Sequence, residues 1–149
     1  MLKKLLETET DMATLILRLG LGLMIFPHGA QKLLGWFGGY GFGGTMQYFT
    51  DTMGIPYIFA LAAILAEFFG GLALLAGIGT RIAALLVGVT LGVAAGMSHL
   101  SNGFFMNWSG TQQGEGLEFF VLALAMSAAL MFRGAGSFGL DGLLARRLD

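Results

Sequence analysis

Apolar residues run through this chain in four long blocks, at about 13–33, 56–78, 81–100 and 117–132, the last being the shortest. A helix needs about 20 such residues to cross a bilayer. The pattern therefore predicts an all-α integral membrane protein, a four-transmembrane-helix bundle forming one domain over 1–149. The stretches 34–55 and 101–116 become loops at one, outer, end. Local signals support these boundaries. Pro56 suits a first helical position, where a missing N–H leaves nothing unpaired. Gly79 and Thr80 read as a stop followed by an N-cap, giving a tight hairpin between the second and third helices. The first loop is rich in glycine and in aromatics, Trp36, Phe37, Tyr40, Phe42, Tyr48 and Phe49, which suit the level of the lipid headgroups.

Composition strengthens the membrane reading. The chain is 56% hydrophobic and 11% charged, against roughly 25% charged in soluble domains, with mean hydropathy +0.77. A net charge of −1 offers no basic face for nucleic acid. The absence of cysteine excludes thiolate catalysis and iron–sulfur ligation. Glu7, Glu9, Asp11 and Arg18 interrupt the approach to the first apolar block, which is also too long for a signal-peptide core, so it reads as a retained helix.

Basic residues then set the orientation. Lys3 and Lys4 precede the first helix, Arg81 lies in the hairpin, and Arg133, Arg146 and Arg147 follow the fourth helix. If the helices alternate, these share one side and Lys32 stands on the other. Both termini are expected in the cytoplasm, with the protein multi-pass in the cell (inner) membrane.

Polar residues inside such a bundle are costly and mark function by default. His28 lies roughly 9 Å below the outer end of the first helix, with Lys32 one turn above on the same face. His99 closes the third helix and Glu118 opens the fourth at that level, with Glu115 nearby. These groups are expected to form one site, with Lys32 neutralising Glu118. Glu67 is placed deeper, near the middle of the second helix, and Arg18 in the inner half of the first. A carboxylate at mid-membrane costs about 2.5–3.5 kcal/mol on insertion scales and needs a partner or a proton. Either Arg18 pairs with Glu67 to pin two helices, or Glu67 carries protons. Pro27 frees the Leu23 carbonyl and is expected to aim His28 inward; headgroup anchoring or a satisfied internal hydrogen bond is the alternative for both histidines. His28 and His99 are suitably placed for axial haem ligation, but no second motif supports it, and neither haem nor metal is expected.

Ala84, Gly88, Gly92 and Gly96 recur every four residues, a smooth stripe that serves packing inside the bundle or a contact between copies of the chain. Gly39-Tyr40-Gly41-Phe42-Gly43-Gly44 matches a dinucleotide fingerprint only formally, because no strand precedes it.

The segment from His28 to Gly41, HGAQKLLGWFGGYG, resembles the signature of the DoxX family of small four-helix membrane proteins. The likeness continues through Met53-Gly54-Ile55-Pro56, Ala66 to Gly77, Thr80-Arg81, Asn102 to Phe105, Glu118, and Ser137 to Asp141. Gly139 departs from it, standing where the family's serine is expected. The resemblance implies a protein similar to a subunit of thiosulfate:quinone oxidoreductase, linked to redox complexes. On that basis a quinone is expected near the outer face, with His28, Lys32 and His99 as hydrogen-bond donors. Trp36 or Phe37 would cover the ring, Glu67 or Glu118 would accept protons, and a partner protein would carry the redox centre. Two other readings stand beside it. One is a non-catalytic scaffold whose stripe Gly88, Gly92, Gly96 docks a partner. The other is a thiosulfate-like oxyanion site built from Lys32, His28 and Arg18.

Overall fold

The computed structural model describes residues 2–147, apart from the side chains of Leu2 and Lys4. It is helical throughout, with no strand among the described residues. In chain order the helices are α1 (Leu2–Leu6), α2 (Met12–Leu34), α3 (Gly41–Gln47), α4 (Tyr57–Ala76), α5 (Thr80–Ala94), α6 (Glu118–Arg133) and α7 (Leu140–Arg146). Three are long and apolar enough to cross a membrane: α2, α4, and α5 with its continuation to Asn102. The fourth expected span, α6, has 16 residues.

Each long helix begins and ends for an identifiable reason. The Asp11 carboxylate accepts from the backbone N–H groups of Ala13 (2.8 Å) and Thr14 (3.2 Å) and so caps α2. Gly35, at φ 74°, closes the same helix, which runs unbroken through Pro27. Pro56 stands at the cap of α4 rather than inside it, and Gly77, at φ 67°, terminates it. The hairpin differs from expectation. Gly79 precedes α5, Thr80 is its first residue, and the capping group comes from elsewhere. Asp141 accepts from Gly79 N (2.6 Å) and Thr80 N (2.9 Å), so α7 caps α5 across the chain.

The helices form a ring in which α2–α4 is the closest pair and α2–α6 the loosest. A β-carbon on Gly29 would lie 2.6 Å from the Glu67 carbonyl carbon and fall on the Phe68 backbone. A β-carbon on Gly71 would lie 2.8 Å from the Phe26 Cα. Leu21, Ile25, Leu74, Ala84, Val87 and Leu130 fill the middle. The Gly29 contact corrects the depth of Glu67, which stands level with His28 rather than below it. From that level α2 runs about 7 Å further, but α4 extends about 15 Å, so α4 projects past α2 at the loop end. The first loop fills the step. It carries α3 and a π turn at Tyr48–Thr52, and buries Met46 against Ala60 and Ile64.

The stripe on α5 is used within the chain. A β-carbon at Gly88 would meet the Ser127 Cβ at 3.1 Å, and one at Gly92 would touch Leu124 at 3.9 Å, both on α6; only Gly96 stands open. Gly88 and Gly92 thus take part in packing within the bundle, the first of the two uses expected of the stripe.

At the terminal end arginines gather helix ends. Arg18, 1% exposed, donates to the carbonyls of Leu74 (2.6 Å), Leu75 (2.9 Å), Ala135 (2.8 Å) and Ser137 (3.4 Å). Arg81 donates to Met131 and Phe132, both at 2.6 Å. Leu74, Leu75, Met131 and Phe132 are in the last turns of α4 and α6, where carbonyls need donors from outside the helix, and Ala135 and Ser137 belong to the loop before α7. Gly139 now has a local explanation: a β-carbon there would fall on Ala135, so the docked tail leaves no room for serine.

Candidate functional site

The loose α2–α6 seam opens into a cleft of about 330 Å³ near the loop end. Its walls combine Met24, Ile25, Leu91, Ala94, Phe119 and Phe120 with His28, Lys32, Glu67, His99 and Glu115. An apolar hollow with a few convergent polar groups is the usual form of a small-molecule site, and this one is near the lower end of the roughly 300–1,000 Å³ range.

Each polar group arrives by a different route. His28 and Lys32, four residues apart on α2, share a face and reach the cleft together. Lys32 is ion-paired to Glu67, whose side chain is 7% exposed against 25% for the lysine. His99 ends a π turn, Ala95–His99, that continues α5. One extra residue in a helical turn rotates the side chains beyond it, and such turns collect at functional sites. The His99 ring lies against Phe120, centroids 4.5 Å apart, and its Nδ1 is 2.9 Å from the Glu115 carbonyl. A carbonyl only accepts, so Nδ1 donates this hydrogen bond, and Nε2 is left outside it.

Glu115 and Glu118 both brace the second loop. Glu115 accepts from Asn107 N (2.6 Å), and its carbonyl also takes Asn102 Nδ2 (3.0 Å). Glu118, in the first turn of α6, accepts from Met106 N at 3.2 Å. Gly116 makes the loop possible, because a β-carbon there would lie 2.5–2.7 Å from the carbonyls of Gly103, Phe104 and Phe105.

The expected residues thus divide. His28, Lys32, Glu67 and His99 come together, with Glu115. Glu118 does not line the cleft, and the ammonium expected to neutralise it lies against Glu67 instead. The Arg18–Glu67 pair is not formed: Arg18 binds four carbonyls at the terminal end, about two turns or more from Glu67 along α4. That leaves an oxyanion site without Arg18. Trp36 is 52% exposed, packed edge-on to Phe37 and away from the cleft wall. The aromatic wall comes instead from Phe119 and Phe120, which sequence reasoning passed over although they come directly after Glu118. Among the described residues no group of His, Cys, Asp and Glu is arranged to hold a metal.

An all-helical fold with long apolar helices around a partly polar cleft is that of a membrane protein. Comparison with known families matches residues 13–100 to DoxX, a membrane family, and the chain belongs to the DoxX family. It is also similar to a Bacillus subtilis (strain 168) protein described as "Putative oxidoreductase CatD", with 33% identity over 81 residues. That match covers 54% of this chain and 55% of the relative, so the chain spans about half the relative's length. No solved structure matches the chain. The family match includes His28, Lys32, Glu67 and His99, whereas Glu115, Phe119 and Phe120 lie beyond it.

Proposed function

We propose that the chain is a membrane subunit of a redox system and that its lateral cleft holds a quinone headgroup. The observation that carries the reading is the cleft itself. Apolar side chains, with Phe119 and Phe120 among them, surround His28, Lys32 and His99, at a seam between apolar helices where a lipid-soluble molecule arrives sideways. The fit is chemical as well as spatial. Lys32, and His28 through a ring N–H, donate to a quinone carbonyl, while Nε2 of His99 accepts from a quinol hydroxyl. Glu67, beside Lys32, is the proton acceptor. A quinone supplies two-electron, two-proton chemistry, so a partner protein carrying a redox centre completes the system. The description of the Bacillus subtilis relative as an oxidoreductase agrees with this direction.

The topology in this reading has four spans, α2, α4, α5 with its continuation, and α6, with both termini cytoplasmic in the cell membrane. Six of the eight basic residues flank the spans at the terminal end, Arg18 sits inside α2 near that end, and Lys32 stands at the loop end, a bias that the positive-inside rule reads as cytoplasmic termini. At about 24 Å, α6 is short for about 30 Å of hydrocarbon, and the braced second loop covers its outer end. An oxyanion reading is less well supported, because Glu67 and Glu115 offset the cations in the cleft.

Purified protein should retain quinone on solvent extraction, and a quinone analogue should raise its melting temperature. Absence of both effects, or a shift unchanged in the His28→Ala, His99→Ala double variant, would refute the assignment.

A further inference from the structure

Lys32 borders two cavities. Besides the cleft, it lines a second hollow of about 270 Å³ beneath the first loop, with Gln31, Tyr40, Thr45, Tyr48 and Phe49. The hollow exists because Gly39 folds back onto the Gln31 backbone while α3 packs beside the projecting turn of α4. Tyr40, Tyr48 and Thr45 bring hydroxyl-bearing side chains to its wall, and Tyr40 and Tyr48 are largely exposed. Toward the terminal end the path from Glu67 is closed. Gly29 and Gly71 clamp α2 to α4, and Leu21, Ile25 and Leu74 are 0–1% exposed.

We propose that the Lys32–Glu67 pair is a proton relay between the cleft and this vestibule, so that the cleft exchanges protons with the loop side alone. The Lys32 ammonium passes an N–H proton to the Glu67 carboxylate, leaving a neutral amine and a carboxylic acid. In a low-dielectric setting the neutral pair avoids the desolvation of two ions, so the transfer needs little separation of charge. The acid then gives its proton to an acceptor in the cleft, and the amine takes one from vestibule water. The ion pair is restored with one proton moved. The reverse sequence carries a proton outward. The other titratable groups around the pair are His28 on α2, His99 after α5, Glu115 of the second loop, and Tyr40 and Tyr48 across the vestibule. On the cleft side α6 contributes only Phe119 and Phe120.

The relay gives the proposed quinone site its proton route and rests on that reading for its purpose, but its test needs no quinone. Full-length protein in vesicles of one orientation is monitored by the infrared carboxyl band that Glu67→Gln removes. A pH step on the loop side should change the band promptly, and the same step on the terminal side should not. Because the chain has no cysteine, Tyr48→Cys can be folded first and then plugged with a bulky impermeant thiol reagent. Labelling should slow the band response about tenfold or more, while reagent-treated wild-type protein is unaffected. A band that answers both sides equally, answers neither, or ignores quantitative labelling overturns the relay. Failure of wild-type protein to bind a quinone analogue would instead refute the ligand assignment and leave the band to decide the relay.

Discussion

Lys32 on α2 places its ammonium against the buried carboxylate of Glu67 on α4, joining the two helices that pack most closely. The lysine comes from the last turn of its helix, where a long side chain reaches across to a partner. The pair therefore links the helix contact to the cleft. A fold element and a candidate reaction element are the same two residues, and their effects must be separated by experiment.

Removing one member of a buried pair leaves an uncompensated charge, at a penalty of about 3–5 kcal/mol, whereas replacing both with apolar groups is often neutral. Glu67→Leu should lower stability by about that amount, less what the partial exposure of Lys32 relieves. Adding Lys32→Met should restore most of it. Thermal unfolding in detergent measures both. The restored double variant should still fail to bind a quinone analogue. A scaffold-only role would leave it indistinguishable from wild type in every assay.

Arg18 has no part in that coupling. Its four carbonyl acceptors tie the end of α4 to the loop before α7, so Arg18→Leu strands several buried acceptors. Stability should fall by roughly 3 kcal/mol or more. Combined with Glu67→Gln, the two losses should add within about 0.5 kcal/mol, as for separated sites. A larger interaction energy in the double-mutant cycle would restore the direct pair.

The ends of α2, α4 and α6 fall within two residues of the apolar blocks, because hydrocarbon length is written into composition, whereas α5 stops at Ala94 and a π turn continues it to His99. Rotation about each helix axis is not written there. It decided that Lys32 meets Glu67 while Arg18 meets carbonyls. The relative level of α4 was hidden for a similar reason, since only the Gly29 contact with Phe68 fixes it. Nor does apolarity mark the π turn before His99, and no local signal pairs Asp141 with a helix start sixty residues away. The polar membership of the cleft was largely legible, but its aromatic wall was not. Trp36 and Phe37 stand out in the sequence four and five residues after Lys32, while Phe119 and Phe120 blend into an apolar run.

Two glycines with the same appearance in the sequence should respond differently to alanine. At Gly29 the new methyl falls on the Phe68 backbone, which cannot move without separating α2 from α4. At Gly88 it meets the Ser127 Cβ at 3.1 Å and needs only a few tenths of an ångström. Gly29→Ala should prevent recovery of folded protein, and Gly88→Ala should lower stability by no more than about 1–3 kcal/mol. Size-exclusion profiles should be unchanged by Gly88→Ala, because that glycine faces α6 rather than another copy.

Asp11 gives the fold an acid limit. The hydrogen bond from the Thr14 side chain, helped by Arg133 and by the N–H groups of Thr14 and Ala13, outweighs desolvation and lowers its pKa from 3.8 to about 2. A folded-state pKa below the unfolded value means that the stabilisation is complete above pH 4 and disappears as pH falls from about 4 through 2. Asp11→Asn should lower stability at neutral pH and flatten the acid limb of the unfolding profile across that window. An unchanged acid limb would show that Asp11 titrates alike in both states.

His99 does two jobs with two nitrogens, and they can be separated. Nδ1 holds the second loop through the Glu115 carbonyl, at 2.9 Å, while Nε2 is the atom assigned to the ligand. Asparagine places an amide N–H near the Nδ1 position but has nothing at Nε2; glutamine does the reverse. His99→Asn should therefore keep the melting temperature near wild type and weaken quinol-analogue binding about fivefold, equivalent to one neutral hydrogen bond of about 1 kcal/mol. His99→Gln should bind more nearly like wild type once folded but lose about 1 kcal/mol of stability as the loop is released. Titration calorimetry and thermal unfolding on the same two variants read both quantities. If the variants lose binding and stability in parallel, the ring serves only to hold the loop, and the ligand role of Nε2 is wrong.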